Sequence, residues 1–136
     1  MKTLIPPIKP QGIKTKLVDW IKGVSKKVTF ERWVEPFMGT GVVAFNIQPK
    51  RALLCDSNPH LIHFYQAIQD GKITPNIVRE FLNEEGLKLL QSKSNHYEFK
   101  CQDFQQTILE TNKSDLIYAD PPYIGRNADY FDCWNE

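Results

Sequence analysis

Short β-prone runs alternate with stretches of helical period along this chain, and that alternation constrains its fold more than any other feature. Arg32-Trp33-Val34-Glu35-Pro36 reads as a strand stopped by a proline. Gly39-Thr40-Gly41 is a turn, and Val42 to Ile47 reads as a short helix broken at Pro49-Lys50. Arg51 to Cys55 is a second strand with Asp56 at its C-terminal end. Asn58 is a good N-cap with Pro59 at the first helical position; Leu61, Ile62, Phe64, Tyr65 and Ile68 follow at helical spacing, and Gly71 supplies the stop. Thr74-Pro75 opens another helix with an apolar stripe of Ile77, Val78, Phe81 and Leu82, and Leu87, Leu89 and Leu90 add a further turn or two. Tyr97 to Cys101 is a third strand, Phe104 to Leu109 a short helix or turn, and Leu116 to Ala119 a fourth, largely apolar and buried strand. Ahead of them all, Lys14 to Ile21 is predicted helical, with Leu17, Val18, Trp20 and Ile21 as its apolar positions. This succession predicts an α/β fold: a parallel sheet of about four strands with helices on both faces.

Composition narrows the class. The 136 residues suit a single domain, and 41% apolar content supports a packed core rather than wholesale disorder. No apolar run approaches the roughly 18 residues of a membrane span, and Met1 to Pro10 lacks the apolar region of a signal peptide, so no membrane association is expected. Cys55, Cys101 and Cys133 form no CxxC pair, which argues against a zinc cluster or disulfide framework and for a reducing cytoplasm. His60 and His63 lie three apart without an evident third ligand, so they read as surface or core-edge residues and no metal is expected. Trp20 and Trp33 are expected in the core, and Cys55 and Cys101 as small apolar fillers near strand ends. Tyr130, Phe131 and Trp134 form an aromatic tail that is costly to leave exposed.

The net charge of +1 hides an asymmetry. Residues 1–50 hold nine Lys/Arg and three Asp/Glu, hence +6; residues 51–136 hold eight and thirteen, hence −5. A basic N-terminal half can meet a polyanion, or it can be the solvated side of an amphipathic helix.

Three polar clusters stand at the predicted C-terminal ends of strands, where open α/β sheets bind their ligands. In Glu35-Pro36-Phe37-Met38-Gly39-Thr40-Gly41, two glycines let a backbone turn approach a ligand closely, though a plain tight turn reads the same way. Asp56 follows Gly41 by fifteen residues. It can accept both hydrogen bonds of a ribose diol, or sit as a favourable charge beside the N-terminus of the next helix. Asp120-Pro121-Pro122-Tyr123 is the most specific signal. Its prolines make it stiff, so it projects a carboxylate, a carbonyl and an aromatic ring from a strand end. A planar aromatic amine fits it: the NH₂ donates to Asp120 and to the Pro121 carbonyl while the ring stacks on Tyr123. The absence of a Pro-Cys dipeptide disfavours a cysteine nucleophile acting on cytosine carbon.

Together these residues resemble the Dam-type adenine-specific DNA methyltransferases. The matching stretches are Pro7 to Leu17, Val34 to Phe45, Leu54 to Leu61, Lys100 to Phe104 and Asp115 to Tyr123, in the family's order. The resemblance implies a Rossmann-like methyltransferase fold with its four strands in the order 3-2-1-4, S-adenosylmethionine as cofactor, and double-stranded DNA with a flipped adenine as substrate. It implies that Lys9, Gly12 and Lys14 lie near the methionine end of the cofactor, and that Glu35, Pro36, Phe37, Gly39 and Gly41 line the methionine moiety. Asp56 would hold the ribose hydroxyls, and Asp103 and Phe104 the cofactor adenine. Asp120, Pro121, Pro122 and Tyr123 would be the catalytic residues holding the target adenine, with Asp120 also facing the cofactor.

The resemblance also sets an expectation of size. The family carries a target-recognition segment of several tens of residues, but only about forty residues, Gly71 to Glu110, cover that interval here. It continues past Asp-Pro-Pro-Tyr with further strands. Residues 1–136 are therefore expected to form a single, incomplete catalytic domain with a reduced or absent target-recognition segment, weak or inactive alone. The alternatives are a non-catalytic S-adenosylmethionine-binding remnant, or a subunit of a split enzyme whose partner chain supplies target recognition. Methylation of a protein glutamine is a third reading, which Asp120 disfavours because such enzymes carry Asn at that position.

Overall fold

The computed structural model describes residues 15–72, 88, 91 and 96–122. Strands β1 (Arg32–Glu35), β2 (Ala52–Asp56), β3 (Tyr97–Cys101) and β4 (Asp115–Ile117) form an all-parallel sheet in the order β3-β2-β1-β4. The helices are α1 (Thr15–Ser25), α2 (Val42–Ile47), α3 (Pro59–Gln69) and α4 (Phe104–Leu109). The strand order is the one that the resemblance implies.

Residue alternation along each strand assigns its two faces. Register pairs Trp33 with Ala52 and Ala52 with Tyr97, and likewise Glu35 with Leu54 and Leu54 with Phe99. This face meets Ile21 of α1, Val43 to Phe45 of α2, and Ile62, Tyr65 and Ile68 of α3 in the main core. Tyr65 lies at its centre, stacked on Phe99 (5.3 Å, 15°) and edge-on to Phe45 (5.6 Å, 72°). Full burial of each such side chain contributes about 1.5–3 kcal/mol. The opposite face carries Val34, Leu53 and Cys55. There α4 packs on β2, with Thr107 buried and the Gln102 amide reaching Thr107 Oγ1 (3.0 Å) and Cys55 Sγ (3.5 Å). Helices therefore cover both faces.

Local chemistry explains the element ends. The Asn58 side chain accepts from the His60 amide (3.0 Å) and starts α3, and Gly71, at φ 72°, follows its end. At the N-terminal edge of the sheet, Arg32 clamps β1 to β4. Its Nε and Nη2 donate to the two carboxylate oxygens of Asp115 at 3.0 and 2.8 Å, and Nη2 also reaches the Glu110 carbonyl.

Four expectations need correction. α1 runs on to Ser25 and buries Val18, Ile21 and Ser25, so Trp20 points away from the core and is 69% exposed, with Leu17 exposed beside it. Helical spacing alone could not choose between two apolar stripes on one helix. Cys101 is exposed, because it lies at the C-terminal end of β3, past the core that Tyr97 and Phe99 of the same face enter. The last strand is Asp115–Ile117 rather than Leu116 to Ala119. It is half-buried rather than buried, since it pairs only with β1 among the described residues. The helices predicted from Thr74-Pro75 and around Leu87 to Leu90 lie outside the described residues, as does the aromatic tail. His60 and His63 are exposed on α3. Among the described residues no group of three metal-ligating side chains occurs, and no helix is long and apolar enough to cross a membrane.

Candidate active site

Because all four strands are parallel, their C-terminal ends share one edge, and the polar clusters of the sequence follow them there. The turn after β1 is built by its glycines. Gly39 (φ 53°) and Gly41 (φ 81°) adopt left-handed conformations that disfavour a side chain. A Cβ on Gly41 would sit 2.9 Å from the Phe45 ring, whereas one on Gly39 would meet nothing within 4 Å among the described residues. Gly41 is thus a packing glycine, and Gly39 faces open space.

The turn is locked to β2. The Met38 amide donates to the Cys55 carbonyl (2.8 Å), and the Gly39 amide donates to Asp56 Oδ2 (2.9 Å). Asp56 Oδ1 accepts from the Asn58 amide (2.9 Å), so one carboxylate braces both the glycine turn and the start of α3. The Tyr65 hydroxyl donates to the Thr40 carbonyl from below. After β3, the Gln102 amide donates to the Asp56 carbonyl (3.1 Å), which carries Asp103 and Phe104 to the same edge. Asp103 caps α4 by accepting from the Gln105 amide (3.1 Å). Phe104 stacks on Phe37 with centroids 5.3 Å apart and planes 29° apart, and both rings are half-buried.

After β4, the Tyr118 amide donates to the Val34 carbonyl (2.9 Å), extending the ladder to within two residues of Asp120. Asp120 and Pro122 are half-buried and Pro121 is exposed. Tyr123, Lys9, Gly12 and Lys14 lie outside the described residues.

Glu35 and Pro36 lie beneath this surface, both buried. Glu35, 2% exposed, accepts from the Trp33 indole N–H through Oε2 (2.8 Å) and from the Ala44 amide. Burial pushes its carboxyl up to about 8, against the two hydrogen bonds, and the charge of Asp120 adds to the rise. Trp33 in turn stacks on Tyr118 (6.0 Å, 16°). Sequence reading missed this linkage, although Trp33 and Glu35, two apart on a strand, must share a face. A cavity of about 470 Å³ lies at the opposite edge, lined by Arg51, Gln69, His96 and Glu98 among others, away from these residues.

A doubly wound parallel sheet whose strand ends converge on a glycine turn, two acidic loops and Asp-Pro-Pro defines the Rossmann-like methyltransferase class. The chain matches the family model described as D12 class N6 adenine-specific DNA methyltransferase over residues 11–84 and 74–135. It belongs to that family, whose reaction makes DNA the substrate.

Proposed function

We propose that this chain transfers a methyl group from S-adenosylmethionine to the exocyclic N6 of an adenine in double-stranded DNA. The observation that carries the reading is the shared edge on which the Gly39 turn, Asp56, the Phe37–Phe104 pair and Asp120-Pro121-Pro122 meet. The residues present fit the cofactor. Gly39 leaves open space above the turn, Asp56 holds a carboxylate at the neighbouring strand end, and Phe37 and Phe104 supply aromatic surface beside Asp103. When bound, S-adenosylmethionine supplies an electrophilic methyl group on a sulfonium.

The chain's own residues then bind and orient. Asp56 accepts hydrogen bonds from the ribose hydroxyls. Asp103 accepts from the cofactor's adenine amine, and Phe104 contacts its ring. Phe37, Gly39 and Gly41 line the methionine part, with Lys9, Gly12 and Lys14 near its end. Glu35 and Pro36 support the turn from beneath.

The target base reaches this edge only by leaving the duplex stack. Asp120 and the Pro121 carbonyl accept the two N6 hydrogens, drawing the nitrogen lone pair out of conjugation with the ring. Pro122 stiffens the loop and Tyr123 stacks on the base. The rest is positioning for direct displacement, and Asp120 is placed to take the proton that N6 gives up.

Incubation with methyl-labelled S-adenosylmethionine and DNA, RNA or protein tests the proposal. Label on adenine N6 in DNA, weak for this chain alone and abolished by Asp120→Ala, is expected. Label that enters protein or RNA instead, or survives Asp120→Ala, overturns it. Calorimetric titration with S-adenosylmethionine alone separates cofactor binding from transfer.

A further inference from the structure

The start of α2 poses a capping problem. Its N-cap is Gly41, which makes no side-chain cap hydrogen bond. Glycine is required there, because any Cβ would strike the Phe45 ring. The amides of the first turn have no partner inside a helix, and the buried ones must find one elsewhere. Glu35 answers for Ala44, three residues beyond the cap, from the strand beneath. The same carboxyl fixes the Trp33 indole, whose ring lies stacked on Tyr118. Tyr118 is tied to β1 by its amide and stands two residues before Asp120. One side chain therefore touches both the helix that begins at the glycine turn and the aromatic stack beneath the Asp-Pro-Pro loop.

We propose that Glu35 is a positioning residue that couples the glycine turn to the Asp120 loop through Ala44 on one side and the Trp33–Tyr118 stack on the other. This deepens the functional reading above and rests on it for its catalytic meaning. Glu35 itself is buried and acts through Trp33 and α2 rather than by touching a ligand. Among the described residues, the ionisable groups electrostatically coupled to it are Asp120 after β4 and Tyr97 on β3. A change of charge on Glu35 is therefore felt first at the catalytic carboxylate. The arrangement makes a pH-dependent signature that simple core packing lacks, since Glu35 titrates at about 8.

The test is an amide and indole NMR titration of the full chain through about pH 6 to 10, spanning that value. In the unsubstituted protein, the Trp33 indole N–H and the Ala44 and Tyr118 amides should shift together with one inflection, and in Glu35→Gln all three should be flat in that range. Trp33→Phe, which keeps an aromatic ring against Tyr118 but removes the indole N–H, carries the same test should Glu35→Gln fail to fold. There Ala44 keeps the inflection and Tyr118 loses it. A Tyr118 inflection that survives Trp33→Phe, or a shared inflection that survives Glu35→Gln, overturns the proposal. In turnover, Trp33→Phe should lower kcat about tenfold or more with cofactor KM unchanged within about twofold, the mark of misplaced reacting groups. An equal loss in KM overturns it. A chain that shows the NMR signature but binds no S-adenosylmethionine in calorimetry refutes the functional reading and keeps the coupling; one that methylates DNA without the signature refutes the coupling alone.

Discussion

Raising the pH from about 5 to about 9 should cost this fold stability through Glu35, and the size of the loss follows from its burial. An unfolded glutamate titrates at its ordinary 4.5, whereas burial holds this one up to about 8. Between those values the folded chain keeps a proton that the unfolded chain has lost. Stability therefore falls as pH rises, by about 1.4 kcal/mol per pH unit. The full interval amounts to about 5 kcal/mol, an upper bound because buried sites relax when they ionise. Asp115 and Glu110 are held below their ordinary values by Arg32 and by Gln102 with Lys100, so their contributions are lost on the acid side. Cys55, Lys100 and Arg32 are raised above their ordinary values, so theirs are lost on the alkaline side. Urea denaturation across this range, for the unsubstituted chain and Glu35→Gln, is the assay. Glutamine can accept from Trp33 but carries no charge, so its curve should be nearly flat. The two curves should cross, with the variant less stable near pH 5 and more stable near pH 9. Curves that stay parallel would falsify the reasoning.

Other substitutions separate packing from function. Gly41→Ala should destabilise by about 2–4 kcal/mol, combining left-handed strain with the clash against Phe45, as read from the melting temperature. Gly39→Ala pays only the backbone strain, about 1–2 kcal/mol, yet should weaken S-adenosylmethionine binding in calorimetry because its side chain enters the open space above the turn. Asp115→Ala strands Arg32 beside a buried strand end and should cost about 2–4 kcal/mol in urea denaturation, while Asp115→Asn should lose less because it can still accept from Arg32. Trp20→Ser, on the exposed stripe of α1, should change stability by less than about 0.5 kcal/mol, and a large loss would show that this stripe is covered.

Much of the architecture was legible from local chemistry. Val42–Ile47, Tyr97–Cys101 and Phe104–Leu109 fall where the spacing placed them, and Asn58 caps α3 as its residue type demands. The parallel sheet followed from alternation, which depends little on side-chain detail, and its strand order from the family resemblance. The polar clusters after the strands were visible because turns and strand ends need particular residues, and Asp-Pro-Pro is stiff in any context.

Packing decided the rest, because it depends on residues distant in the chain. Leu17 and Trp20 match Val18 and Ile21 in hydrophobicity, and only the position of α2 and the sheet selects which pair is buried. Asp56 reads as a ligand-facing acid in sequence, but in three dimensions it also braces the Gly39 turn and the start of α3. Glu35 looks like one more residue of a glycine-rich motif. The fold turns it inward, where burial raises its carboxyl and two hydrogen bonds make it the tie between turn and loop. Periodicity and turn chemistry are written in neighbouring residues. Burial, capping from another element and the pairing of Trp33 with Tyr118 arise only when separate segments meet, and that meeting gives a buried carboxyl its properties.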